Sequence, residues 1–137
     1  MKLLCLDVGS KRIGVARSDE MGMFAHGIGF IAREETDKTV FEDIQKQINE
    51  LGSEKLVVGV PIQMDGSDGV AAEKIRAFAA VLEEKVAIPV VMWDERLSTK
   101  EAMRYMQGSS MSGSKKRKKV DSLAAQIILQ NYLDCNR

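Results

Sequence analysis

The chain has 137 residues, of which 45% are hydrophobic, and its 20 basic and 20 acidic side chains cancel to a formal net charge of zero. This length suits one domain with a hydrophobic core, residues 1–137, and excludes a second large domain. The balanced charge neither requires nor excludes a polyanionic partner, so local clusters of charge have to decide that question.

Three further features bear on where the protein works. No apolar stretch approaches the roughly 20 residues needed to span a bilayer, and the N-terminus lacks the pattern of a secretion signal. Cys5 and Cys135 have no metal-ligand spacing, so reduced thiols are expected. We therefore expect a soluble, cytoplasmic protein without a membrane partner.

The first elements in the chain are predicted strands. Residues 2–7 are apolar on both faces, which is typical of a central strand covered on both sides. Gly9 and Gly14 bracket the turn into a strand near 12–18, and a third strand near 23–32 completes a predicted antiparallel meander.

Helices and strands then alternate. A helix from Asp37 ends near Leu51, where Gly52 is placed to form the C-terminal cap. The strand over 55–60 precedes a helix with Ala71, Ile75, Phe78 and Leu82 on its inner face.

The last third of the chain begins with a strand over 90–93. A capping box at Ser98 and Glu101 predicts a helix that ends near Gly108. Residues 108–119 lack an apolar period and predict a mobile basic loop, after which Val120 begins the final helix. This order favours an α/β fold with a mixed sheet, in which a ligand site lies at the carboxyl ends of the parallel strands.

Three acids are predicted to meet at that edge. Asp7 ends the first strand, Glu95 follows the strand over 90–93, and Asp121 begins the last helix. Clustered carboxylates repel one another unless a hard cation neutralises them, and Mg²⁺ bound by carboxylates supports phosphodiester hydrolysis. Each acid alone has a structural explanation, a turn cap for Asp7 and a favourable helix-start charge for the others. Only the three together favour a metal site, and Asp94 is a possible addition to it.

Basic residues near these acids are candidate phosphate contacts. Arg12 and Arg96 are close in sequence to Asp7 and Glu95, although each could equally be a surface salt-bridge partner. The basic run leads directly into Asp121 and could contact a nucleic-acid backbone, although such runs are usually solvated. It comprises Lys115, Lys116, Arg117, Lys118 and Lys119.

Four segments of the chain form a pattern: Asp7-Val-Gly-Ser-Lys-Arg-Ile-Gly-Val-Ala16, Val58-Gly-Val-Pro-Ile-Gln-Met-Asp-Gly66, Asp94-Glu-Arg-Leu-Ser-Thr99 and Lys119-Val-Asp-Ser-Leu-Ala-Ala125. With these segments the chain resembles the YqgF/RuvX family, which is RNase H-like and related to the RuvC Holliday junction resolvase. Their order and spacing make the resemblance, which covers nearly the whole chain, stronger than any single segment. Gln63 departs from the asparagine usual in the family's loop, so the resemblance assigns no role to Gln63 or Asp65.

The resemblance implies both a fold and an activity. The fold is a five-stranded mixed sheet of order 3-2-1-4-5 with strand 2 antiparallel and helices on both faces. The activity is two-metal hydrolysis of phosphodiesters by Asp7, Glu95 and Asp121 with Mg²⁺, for which Mn²⁺ could substitute. Products with 5′-phosphate and 3′-hydroxyl ends are implied. The expected role is maturation of the 5′ end of pre-16S rRNA in ribosome assembly.

Other functions remain open at this point. A Holliday junction resolvase acting on branched DNA in recombination or repair is the second nuclease hypothesis, and it would require a symmetric dimer. No segment predicts a dimer interface, so a monomer or weak homodimer is expected. A nucleic-acid-binding module without catalysis is the alternative of another class. The sugar-kinase and actin ATPases share the Asp-x-Gly turn but need two such domains.

Overall fold

The computed structural model describes residues 1–33, 37–63, 65–95 and 113–136, and for residues 113–121 it describes the backbone alone. Its elements are strands β1 (Leu3–Val8), β2 (Arg12–Ser18), β3 (Ala25–Ala32), β4 (Lys55–Val60) and β5 (Val90–Asp94), and helices α1 (Lys38–Leu51), α2 (Val70–Lys85) and α3 (Gly113–Cys135). The predicted helix over 98–108 lies outside the described residues.

The five strands form one mixed sheet in the order β3-β2-β1-β4-β5. Strand β2 pairs antiparallel with β1 and β3, while β4 runs parallel to both β1 and β5. This confirms the predicted order and strand directions. The carboxyl ends of β1, β4 and β5 therefore lie at one edge of the sheet.

The two faces of the sheet bury two hydrophobic clusters. Alternate residues of β1 belong to opposite clusters: Leu4 and Leu6 pack on the side of α1 and α2, and Leu3 and Cys5 pack on the side of α3. A strand buried on both faces needs a continuous apolar run, because its side chains point alternately to each face. Leu4, Cys5 and Leu6 are fully buried accordingly.

Two element boundaries differ from the sequence-based prediction. Strand β3 starts at Ala25 because the Asp19 carboxylate accepts the backbone N–H groups of Met23 and Phe24, which keeps them in the preceding turn. The last helix starts at Gly113 rather than Val120, so the loop predicted over 108–119 is wrong for 113–119. Lysine and arginine favour helix, but this segment has no apolar period by which the helix could be detected. Residues 108–112 lie outside the described residues.

Helix α3 packs closely against the edge strand β3. A Cβ atom built on Gly27 would lie 2.8 Å from both Cβ and Oγ of Ser122. The Gln126 side-chain oxygen accepts the Gly27 N–H at 3.1 Å, and that of Gln130 accepts the Ala25 N–H at 2.9 Å. These side chains bind backbone groups of β3 to the helix. No helix in the described part of the chain is long and apolar enough to cross a membrane.

Replacing Gly27 tests this close approach. We expect Gly27→Ala to lower the free energy of unfolding by about 1–3 kcal/mol, because the added methyl group meets the Ser122 side chain and backbone. His26→Ala, at an exposed neighbouring position on the same strand, should change it by less than about 0.5 kcal/mol. Urea denaturation measures both variants, and equal losses would contradict the account of Gly27.

Candidate active site at the carboxyl end of the sheet

Asp7 lies near the end of β1 on the face covered by α3. It follows Cys5 in the alternation of β1 and is half-buried. Its partner on β2 is Gly14. On the other side, Leu6 pairs with Val58 of β4, so the next position along β4 is Gly59. Asp7 is therefore flanked by two residues without side chains, which leave room for other groups beside its carboxylate.

Glu95 occupies the space above Gly59. A Cβ atom added to Gly59 would lie 2.7 Å from Oε2 of Glu95 and 2.8 Å from Cδ1 of Ile128. The Glu95 N–H donates to the Val60 carbonyl at 3.2 Å, which ties the residue after β5 to the end of β4. The structure thus brings Glu95 and Asp7, two of the three predicted acids, to the same edge of the sheet.

Glu95 lies close enough to the other acids for their charges to affect it. Burial first, and then the negative charges of Asp7 and Asp94, raise the pKa of Glu95 to about 7. Asp94 is the last residue of β5 and pairs with Val60. Three carboxylates therefore share one region, and Asp94 is the member whose participation the sequence left open.

Cys5 lies beneath these acids and has no sign of reactivity. Burial raises the pKa of the Cys5 thiol well above its ordinary value, with further contributions from Asp7 and Glu95. A thiol held protonated is a poor metal ligand. The oxygen atoms of the acids are therefore the donors that this edge offers.

Asp121 belongs to α3, and its side chain lies outside the described residues. Its backbone position shares a helix face with Ala125 and Ile128, both buried, and precedes Ile128 by seven residues, or about 10 Å along the axis. Ile128 contacts the region of Gly59, whereas Tyr132 lies near Lys55 at the amino end of β4. The helix axis thus carries position 121 from Ile128 towards the carboxyl edge. Among the side chains that are described, no three His, Cys, Asp or Glu residues form a metal site.

The predicted basic residues are only partly placed. The guanidinium of Arg12 lies over the Phe30 ring, 5.3 Å from its centroid. Arg96 lies outside the described residues. Residues 115–119 form part of the first turns of α3, so the basic run is helical, and its side chains are not described.

Sequence reasoning missed the residue that holds the glycine turn. Arg33, just after β3, donates to the Gly9 carbonyl at 2.8 Å and pairs with Asp37 through two hydrogen bonds. Its backbone N–H also donates to the Lys11 carbonyl at 2.9 Å. Arg33 thus ties the turn after Asp7 to the start of α1. An arginine four residues before an aspartate was the available signal, but nothing local indicates contact with residue 9.

The loop after β4 also has a structural explanation. Oδ1 of Asp65 accepts the Ser67 N–H at 2.9 Å, and the Gln63 N–H donates to the Ser67 carbonyl at 2.9 Å. The Gln63 amide packs against Gly69, where an added Cβ would lie 2.6 Å from Nε2. The longer side chain of Gln63 is therefore accommodated because residue 69 is glycine.

Comparison with known proteins assigns nearly the whole chain to one family. The family model described as "RuvX: Holliday junction resolvase" matches residues 1–135. The chain belongs to the RuvX family. A relative from Geobacillus thermodenitrificans, named "Putative pre-16S rRNA nuclease", is 46% identical over 138 residues and covers 100% of both chains. Relatives of the same name from Caldanaerobacter subterraneus (46% identity; 100% of this chain and 99% of the relative) and Listeria innocua (42%; 98% of each) also match.

Solved structures show the same fold as this RuvX family member. Thermus thermophilus RuvC in complex with a Holliday junction substrate superimposes with a TM-score of 0.61 at 13% identity, covering 99% of this chain and 96% of that one. The fowlpox virus Holliday junction resolvase gives 0.56 at 14% identity, covering 98% and 99%. These likenesses confirm the expected RuvC-like, RNase H-like fold.

The raised pKa of Glu95 predicts a dependence of stability on pH in metal-free protein. Between pH 4.5, the ordinary value, and about 7, folded Glu95 keeps a proton that the unfolded chain has lost. The contribution of protonated Glu95 to the free energy of unfolding is therefore complete below pH 4.5, and it is lost as the pH rises through 7. Glu95→Gln should remove this loss and be more stable than the parent at pH 8, by up to about 3 kcal/mol.

Urea denaturation with a metal chelator from pH 4 to 8 measures this difference. Glu83→Gln, on the exposed surface of α2, is the matched control and should follow the parent at every pH. A constant difference between Glu95→Gln and the parent would contradict the assignment of the pKa shift to Glu95.

Proposed function

We propose that the chain is a metal-dependent nuclease that hydrolyses phosphodiester bonds with Asp7, Glu95 and Asp121 as its acidic triad. The observation that carries the proposal is the half-buried carboxylate of Glu95, whose pKa is raised to about 7 by burial, Asp7 and Asp94. Such a group is costly to ionise without a cation. The family's nuclease names and its junction-resolvase description support the same reaction class.

The residues present fit a hard divalent cation. The edge offers carboxylate oxygens, and Gly14 and Gly59 leave space beside Asp7. Oxygen donors suit Mg²⁺, with Mn²⁺ as the substitute, better than zinc. Asp7, Glu95 and Asp121 would hold the ion, and the proposal does not require Asp94. When bound, Mg²⁺ supplies Lewis-acid stabilisation of phosphate charge and lowers the pKa of water.

The protein's own contribution is charge and position. Glu95 would give up its proton on binding the cation, so that its carboxylate faces Asp7 across Gly59 without net repulsion. Arg33 holds the turn that follows Asp7 and so restrains β1 at the site. Arg12, Arg96 and the basic run of residues 115–119 are proposed to contact the phosphates of the bound strand.

The proposed substrate is precursor 16S rRNA, with cleavage maturing its 5′ end in the cytoplasm during ribosome assembly. The names of the relatives support this choice. Cleavage of branched DNA is the second candidate, because the matching family model carries the description of a Holliday junction resolvase. A monomer or weak homodimer suits the first candidate, whereas cutting two strands of a junction requires a symmetric dimer.

Asp7→Asn tests the triad. The variant should fold as the parent does but lose Mg²⁺-dependent cleavage, because it removes the charge that holds the cation while keeping the size of the side chain. Labelled rRNA precursor and a four-way DNA junction, each incubated with and without Mg²⁺, measure the activity and the substrate preference. Products should carry 5′-phosphate and 3′-hydroxyl ends.

Asp43→Asn, an exposed change on α1, is the control for Asp7→Asn and should cut both substrates as the parent does. Cleavage by Asp7→Asn at the parent's rate would overturn the triad. Tight binding of either nucleic acid by a parent that never cleaves it would instead favour the non-catalytic binding module.

The basic run predicts a change in salt dependence. Replacing Lys115, Lys116 and Lys118 with glutamine should weaken nucleic-acid binding and reduce the slope of log K against log salt by about 2–3, since each lost phosphate contact removes about 0.7–0.9. The control replaces Lys38, Lys46 and Lys85, which line a groove between α1 and α2. Binding titrations at several salt concentrations measure both, and equal slopes would exclude the basic run from the interface.

A further inference from the structure

Phe30 lies in one row with Asp7 across the sheet. Asp7 pairs with Gly14 of β2, and Gly14 pairs with Phe30 of β3. Directly paired residues point to the same face of a sheet. The neighbours of Gly14 and Phe30, namely Ile13, Val15 and Ile31, belong to the cluster under α1 and α2. Phe30 therefore faces the α3 side, as Asp7 does.

Phe30 is 38% exposed, although burial of a phenylalanine is favourable. Arg12, the exposed first residue of β2, places its guanidinium 5.3 Å from the ring centroid. Two flat groups, one of them positively charged, are thus assembled at the edge of the sheet. We call this pair the Phe30–Arg12 platform.

The platform has a clear relation to the candidate active site. Strands lie about 4.8 Å apart, so Phe30 and Asp7 are separated by about 10 Å across two strand spacings. This corresponds to about three nucleotides of a stacked strand, at about 3.4 Å each. Gly14, which lies between them, is buried and contributes no side chain to the row.

We propose that the Phe30–Arg12 platform is a stacking subsite for an unpaired base of the strand whose phosphodiester lies at Asp7. Aromatic rings and arginine planes are the groups on which proteins stack unpaired bases, and the arginine charge also suits a phosphate backbone. A base within a duplex keeps its own stacking partners and cannot use such a surface. The proposal rests on the proposed nuclease function and narrows its substrate to strands with unpaired nucleotides near the cleaved bond.

The test uses oligonucleotides that carry the fluorescent base 2-aminopurine in an unpaired stretch beside a duplex, made as RNA and as DNA, together with blunt duplexes. In the presence of a chelator, binding to the parent should quench the fluorescence at one unpaired position. Phe30→Leu keeps an apolar side chain but loses the aromatic plane. It should abolish the quenching and weaken binding of the unpaired substrates about fivefold or more, while binding of the blunt duplexes stays within twofold.

Arg12→Lys keeps the charge but loses the plane, and it should also reduce the quenching. Two matched controls change exposed residues away from the platform, Phe24→Leu just before β3 and Arg17→Lys near the end of β2, and both should behave as the parent. A parent that prefers unpaired RNA over unpaired DNA identifies RNA as the source of the stacked base, and the reverse identifies DNA.

The outcomes separate this subsite from the nuclease function. If Phe30→Leu keeps the parent's quenching and its preference for unpaired substrates, or if Phe24→Leu loses them equally, the subsite is overturned, whether or not the parent cleaves with Mg²⁺. If the parent shows Phe30-dependent quenching but never cleaves, the subsite stands as a binding site and the nuclease function fails. A parent that binds none of the oligonucleotides overturns the subsite, while Mg²⁺-dependent cleavage of the labelled substrates still decides the nuclease function.

Discussion

The structure depends on confining several negative charges to one partly buried edge of the sheet. Glu95 follows β5, lies over Gly59 of β4 and faces Asp7 of β1, so three strands have to hold their relative positions for the acids to remain together. Burial and mutual repulsion both oppose ionisation of these acids, and together they raise the pKa of Glu95. Proton uptake relieves the repulsion in the metal-free protein, and a divalent cation would relieve it in the proposed nuclease.

Helices on both faces of the sheet stabilise the edge that carries the acids. On one side α1 and α2 bury a large aliphatic cluster, which keeps β1 and β4 adjacent. On the other side α3 packs against the sheet, and its residue Ile128 reaches the same position over Gly59 as Glu95 does. Its glutamines bind the backbone of β3, so the same helix that leads up to the acids also fixes the strand that carries Phe30.

Much of the fold could be predicted because its signals are local or repeated. The apolar run before Asp7, the helical period ending at Gly52 and the buried strand at 55–60 all predict elements that the structure contains. The order of the strands came from the family resemblance, since periodicity does not determine which strands pair. The start of α3 was misplaced because Gly113 to Lys119 contains no apolar residue to reveal a helical period.

The sequence indicated the acids of the candidate site but not the contacts that surround them. Asp7 and Glu95 could be paired because each lies at the carboxyl end of a strand. These strands, β1 and β5, both run parallel to β4, which lies between them. The contact of Arg33 with Gly9 and the stacking of Arg12 on Phe30 depend on the meander's register, which no short motif specifies. The side chain of Asp121 lies outside the described residues, so its membership of the triad stays a prediction.

Gly59 has a consequence for how this protein can change over time. Every single-base change of a glycine codon that is not silent introduces a side chain or a stop, and any Cβ at this position would meet both Glu95 and Ile128. No one-step substitution can therefore be tolerated without a compensating shift in the carboxylate or in the helix above it. The position links the chemistry of the site to the packing of α3, so a lineage could alter one only by altering the other.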